Sequence, residues 1–239
     1  MPHTQAQSRP IDRWLVIGGP LLALVAGYVN VILLMSFATP VSHVTGSLAH
    51  LALDGARHDT SHFRLAASMV VAFLAGAALT GFWTGGQMFQ HRRRYGAVFI
   101  LQGLAFGLAA HWLAGAVWLA VPFAAFGCGM QNALASSYRG LNLRTTHMTG
   151  IVTDLGVLLG LRALGQQIGG WRLLLLTLIF VGYLLGTFLG VWVGRNLPSL
   201  ALYLPAGLCV GGGAMYLLLF QRMAGNRTGH AAGFPTGER

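Results

Sequence analysis

The chain has 239 residues, is 55% hydrophobic and only 8% charged, and its mean hydropathy is +0.63. A water-soluble domain ordinarily has about a quarter of its residues charged, so this composition excludes a soluble fold and makes the bilayer the solvent. The formal net charge of +10 comes from arginines in short gaps between apolar runs, a pattern of membrane orientation rather than of nucleic-acid binding.

Taken from the N-terminus, Trp14 to about Phe37 reads as a first membrane span. Pro40 ends it and the motif Ser42-His43-Val44-Thr45-Gly46 follows. The next apolar stretch, Ser47 to Gly55, is short of the roughly 20 residues a crossing needs and predicts a re-entrant or interfacial helix. A second span runs from about Leu65 to Gln87 and meets the basic cluster His91-Arg92-Arg93-Arg94. No charge falls between Tyr95 and Tyr138, a length that fits two spans joined by a tight turn near His111-Trp112. A polar stretch then carries Thr146-His147-Met148-Thr149-Gly150 and a second short apolar segment, Ile151 to Gly160. Leu173 to Gly194 and Ser199 to Phe220 complete a predicted all-α bundle of about six transmembrane helices.

Residues 1–222 therefore form one membrane domain, and the polar, Gly-rich residues 223–239 are expected to be a disordered cytoplasmic tail. With six spans, Arg57, Arg64 and Arg195 fall on one side and every other arginine on the opposite side, which predicts that both termini are cytoplasmic. Cys128 and Cys209 lie in apolar segments without metal or CxxC spacing and read as packing residues.

The chain repeats itself. Pro20, Ala23, Gly27 and Asn30 in the first span recur at identical spacing as Pro122, Ala125, Gly129 and Asn132 in the fourth, and the two His-x-Thr-Gly motifs follow in turn. Phe73-Leu74-Ala75-Gly76 similarly recurs as Tyr183-Leu184-Leu185-Gly186. The units are about 14–113 and 114–220. Three spans per unit would make the second copy run inverted, the arrangement in which transporter sites form near the midplane.

The candidate solute or ion site follows from that duplication. Asn30 and Asn132, with Gln131 beside the latter, are amides at bilayer depth that require partners: either a helix-packing clamp or a solute. Ser42, Thr45 and Gly46, with Thr146, Thr149 and Gly150, could cap a helix start and leave backbone N–H groups facing a small anion or polar solute. His43 and His147 could relay protons or hold a loop carbonyl. Asp154 is the one carboxylate in the second short segment, where the first copy has His50. His58, Asp59 and His62 have weak metal-like spacing. No nucleophile elbow or phosphate loop is present, so neither an enzymatic role nor a cofactor is expected.

The sequence resembles the YoaK-like bacterial membrane proteins, a domain-of-unknown-function group. The likeness is carried by Ser42-His43-Val44-Thr45-Gly46, by Gly129-Met130-Gln131-Asn132-Ala133, and by Thr146-His147-Met148-Thr149-Gly150 with Asp154-Leu155-Gly156. It implies a multi-pass bacterial inner-membrane protein and supplies no activity. The family often has Asp where Asn30 stands, so that position loses an ion-coupling carboxylate here. The expected function is a small secondary transporter or channel-like permease of unknown solute, with the lipid bilayer and a second copy of the chain as partners and no nucleic acid. A non-transporting scaffold or sensor, and a redox protein ligating haem through His43 and His147, are the alternatives.

Overall fold

The computed structural model describes residues 13–37, 43–84, 93–134 and 145–231. Ser42, Pro40 and Arg144 lie outside them. Eight α-helices follow in order: α1 (Arg13–Phe37), α2 (Val44–Ala56), α3 (Thr60–Thr84), α4 (Arg93–Trp112), α5 (Val117–Leu134), α6 (Met148–Ala163), α7 (Gly170–Asn196) and α8 (Tyr203–Ala231). A short 3-10 turn at Pro198–Leu200 separates the last two, and the described residues contain no strand. Helix α8 continues beyond Arg222 over the first part of the residues expected to form the tail.

Five helices, α1, α3, α4, α7 and α8, contain stretches long and apolar enough to cross a bilayer. The expected fourth span, α5, is not among them; the described residues give it 18 residues, Val117–Leu134, about 27 Å at 1.5 Å each. Large apolar side chains point outward all round the bundle, with Phe82 88% and Phe188 70% exposed. Such a surface is the reverse of a soluble protein's and fits a multi-pass membrane protein.

The two short helices are stopped alike. At the end of α2, His58 takes the left-handed conformation (φ 56°), and Asp59 N–H donates to the Asp54 carbonyl at 2.9 Å. At the end of α6, Gly165 does the same (φ 78°), and Gln166 N–H donates to the Leu161 carbonyl at 3.1 Å. These are C-terminal caps that turn the chain sharply. Asp59 then starts α3, its carboxylate accepting from the backbone N–H groups of Ser61 (3.2 Å) and His62 (3.1 Å). The Ser61 hydroxyl, and then the His62 backbone N–H and ring, hold the Asp59 carboxyl below the usual carboxylate range. The His58, Asp59 and His62 spacing thus belongs to a helix cap, and no group of three metal-binding side chains occurs among the described residues.

Glycines set which helices pair. A Cβ on Gly27 of α1 would collide with the Tyr183 carbonyl of α7, and one on Gly186 of α7 with the Leu24 carbonyl of α1. The other repeat does this in mirror fashion: Gly129 of α5 meets the Phe73 carbonyl of α3, and Gly76 of α3 meets the Phe126 carbonyl of α5. Each member of the first set is the repeat equivalent of a member of the second. Helix α1 therefore lies along α7, and α5 along α3, each unit lending its first helix to the other unit's third; small residues permit this approach where apolar burial gives no drive. Successive glycines Gly182, Gly186, Gly190 and Gly194 meet Pro20, Leu24, Tyr28 and Ile32 in order, so α1 and α7 run parallel.

Helices α4 and α8 run antiparallel. Gly96 faces Gly213 and Leu217, while Gly103 faces Ala206 and Val210. The shift in residue number that carries Gly76 to Gly186 also carries Gly96 to Ala206 and Gly103 to Gly213. The contact is therefore reciprocal within itself.

Candidate functional site

A buried polar cluster forms where α1, α4 and α5 meet the chain entering α6. Gln102 of α4 and Gln131 of α5 are both fully buried, and the Gln102 amide donates to Gln131 Oε1 at 2.7 Å. The Gln131 amide donates in turn to the Leu22 carbonyl of α1 and to Thr145 Oγ1, the latter at 3.2 Å. Because Gln131 spends both its N–H donors there, its oxygen must be the atom facing Gln102. That fixes the orientation of Gln102 and leaves Gln102 Oε1 without a partner among the described residues.

Asn132 clamps the start of the second motif. Its side-chain oxygen accepts from Thr146 N–H at 3.3 Å, and its amide donates to Thr146 Oγ1. These bonds make Asn132 a clamp on the chain entering α6. Asn30 occupies the equivalent place on α1 and is likewise buried. Its repeat-equivalent partner, Ser42, is outside the described residues.

The motif histidines stand at the starts of the short helices, His43 before α2 and His147 before α6, and neither helix has a side-chain cap there or an acidic residue in its first turn. His43 is half-buried and His147 exposed. Thr45 and Thr149 are exposed on the first turns. Gly150 lies under the His147 ring, where a Cβ would sit 2.5 Å from Nδ1, whereas Gly46 has open space around it. Asp154 is exposed on α6 with no ion pair among the described residues, and so stands apart from the buried amides. An apolar cavity of about 380 Å³ between α3, α4 and α5, lined by Ala72, Leu104, Phe123 and Phe126, is separate in chemistry from this cluster.

Of the sequence candidates, Gln131 joins the buried amide cluster with Gln102 and Thr145, and Asn132 is bonded to Thr146. Gln102, Thr145 and the Leu22 carbonyl were not anticipated. Gln102 carried a usable signal, being the sole amide side chain in the apolar run of α4, and a polar side chain there needs a reason.

The family model for proteins of unknown function designated DUF1275 matches residues 19–231, nearly the whole described bundle. The chain belongs to the DUF1275 family. The resemblance to the YoaK-like group agrees with this. Comparisons with curated proteins and with solved structures find no match. For this DUF1275 member, then, chemical meaning must come from the cluster itself.

Proposed function

We propose that this protein is a small permease for a polar solute, anionic or neutral rather than cationic, built from two inverted three-span units. The observation that carries the reading is the buried amide cluster at the entrance to the second motif-bearing helix start, a start that recurs in the first unit. Helix starts present unpaired N–H groups and the positive end of the helix dipole, which favours anions and disfavours cations.

Inversion is supported by α4 and α8. Equivalent helices that pack antiparallel through reciprocal contacts require a two-fold axis across their length, whereas an axis along the bundle would leave them parallel. With that symmetry, α2 and α6 start near the bilayer midplane and run out to opposite faces. The arginine distribution supports cytoplasmic termini at a bacterial inner membrane.

The test uses proteoliposomes holding purified protein, with flux of nitrate, formate, phosphate, urea and glycerol followed by light scattering. Wild type should pass at least one of these, and Thr45→Val with Thr149→Val should lower that flux about tenfold or more while leaving Tm within about 2 °C, since exposed threonines contribute little packing. Loss of thermal stability with no wild-type flux for any solute would favour a scaffold instead.

A further inference from the structure

The two repeats differ at one seam. Helix α4, which ends the first unit, packs along α5, which opens the second, and a turn over residues 113–116 joins them. The equivalent pair is α8, which ends the second unit, and α1, which opens the first, and these touch only sparsely. The difference is legible residue by residue. On α4, Val98, Ala105 and Ala109 are 0%, 4% and 0% exposed, while their equivalents on α8, Leu208, Met215 and Leu219, are 64%, 61% and 42% exposed. Gly212, the equivalent of buried Gln102, has open space around it, as has Gly18 at the start of α1.

What covers the α4 face is α5, the equivalent of α1. We infer that the first half of α1 and the stretch of α8 around Tyr216–Leu219 form a gate that closes, seating Leu22 on Leu219, the repeat equivalents of Ala124 and Ala109, which are buried in one cluster at the closed seam. Val25 then approaches Tyr216, as Gly127 lies against the Phe106 ring.

Two packed bodies make the motion feasible. Helices α1, α6 and α7 hold together through Ala23, Ala26, Ile151, Leu175 and Ile179. Helices α3, α4, α5 and α8 hold together through the glycine contacts. The second half of α1, through Tyr28, Val29, Ile32 and Leu33, is already sealed against Phe106, Val121 and Ala124. The bundle is thus closed where α4 joins α5 and open where α1 begins. Leu22 lends its carbonyl to Gln131 at the inner limit of the open seam, so closure there would cover the amide cluster from that end. As a solute gate this rests on the permease reading; as a motion it does not.

The experiment is oxidative cross-linking of full-length Leu22→Cys/Leu219→Cys in membranes, in a Cys128→Ala/Cys209→Ala background, with copper phenanthroline. An intrachain disulfide, seen as a reducible mobility shift with loss of maleimide-reactive thiols in most of the protein, is expected. Val25→Cys/Tyr216→Cys is the second pair, should the first fail to fold, and is expected to behave alike. Thiols that label singly but never join would overturn the gate, and so would disulfides that form only between two chains, which would make a second copy the cover of α8. The readout needs no solute: closure without flux would leave the gate and sink the permease, and flux without closure would do the reverse.

Discussion

Gly129→Ala and Gly186→Ala should each lower the melting temperature of the purified protein by roughly 5–10 °C. The added methyl on residue 129 has nowhere to go but into the Phe73 carbonyl, and that on residue 186 into the Leu24 carbonyl. Both obstacles are backbone, which cannot rotate away, so α3 and α5, or α1 and α7, must separate along their length. Forcing extra volume into a packed interface costs about 1–3 kcal/mol, and a chain of this size loses about 2–4 °C per kcal/mol. Gly156→Ala and Gly160→Ala are the internal comparison. Nothing lies within 4 Å of a Cβ at either site, and alanine improves helix propensity, so both should be neutral or slightly stabilising. Melting curves of the four proteins in one detergent decide the matter. If Gly129→Ala melted with wild type, the close approach of α3 and α5 would be refuted.

The second large effect belongs to the amide pair. Gln131→Leu strips the acceptor from the Gln102 amide and the donor from Thr145, both buried, and should destabilise by about 1–2 kcal/mol, near the upper end of what membrane hydrogen bonds contribute. Gln102→Leu removes only the outer partner and should be milder, since Gln102 Oε1 is itself unpaired and its loss relieves a buried acceptor. The double variant should be less destabilised than the two single effects added together, because no stranded Gln102 amide remains. A four-protein thermal cycle measures this. Strict additivity would mean that the two amides are not coupled.

These two results separate what kind of polar group each is. The glycines define how near the helices come, and the amides define what crosses between them once they are near. Asn132 does a third job, fastening the chain ahead of α6 through Thr146, so the motif threonines and His147 are presented at a fixed place. A site assembled this way needs no long-range charge pair. The one ion pair among the described residues, His62 with Asp59, lies at the exposed start of α3.

Much of this molecule is written in local sequence. Composition alone places it in the bilayer, because 8% charged residues cannot clothe a soluble surface. Uninterrupted apolar length gave the long helices, the shortness of 47–55 and 151–160 foretold α2 and α6, and spacing gave the repeat. All of these are readable because each depends on neighbours a few residues away. Tertiary structure decided the rest. That Gly27 needs Tyr183 rather than another carbonyl, that α5 sits on α3, and that Gln131 reaches from α5 to Leu22 depend on partners far along the chain. In a bilayer every apolar helix face suits lipid about equally well, so hydrophobicity does not say which face meets which. Only steric fit at the glycines and the demand of buried amides for partners choose among the pairings, and both are satisfied only when the whole bundle is assembled.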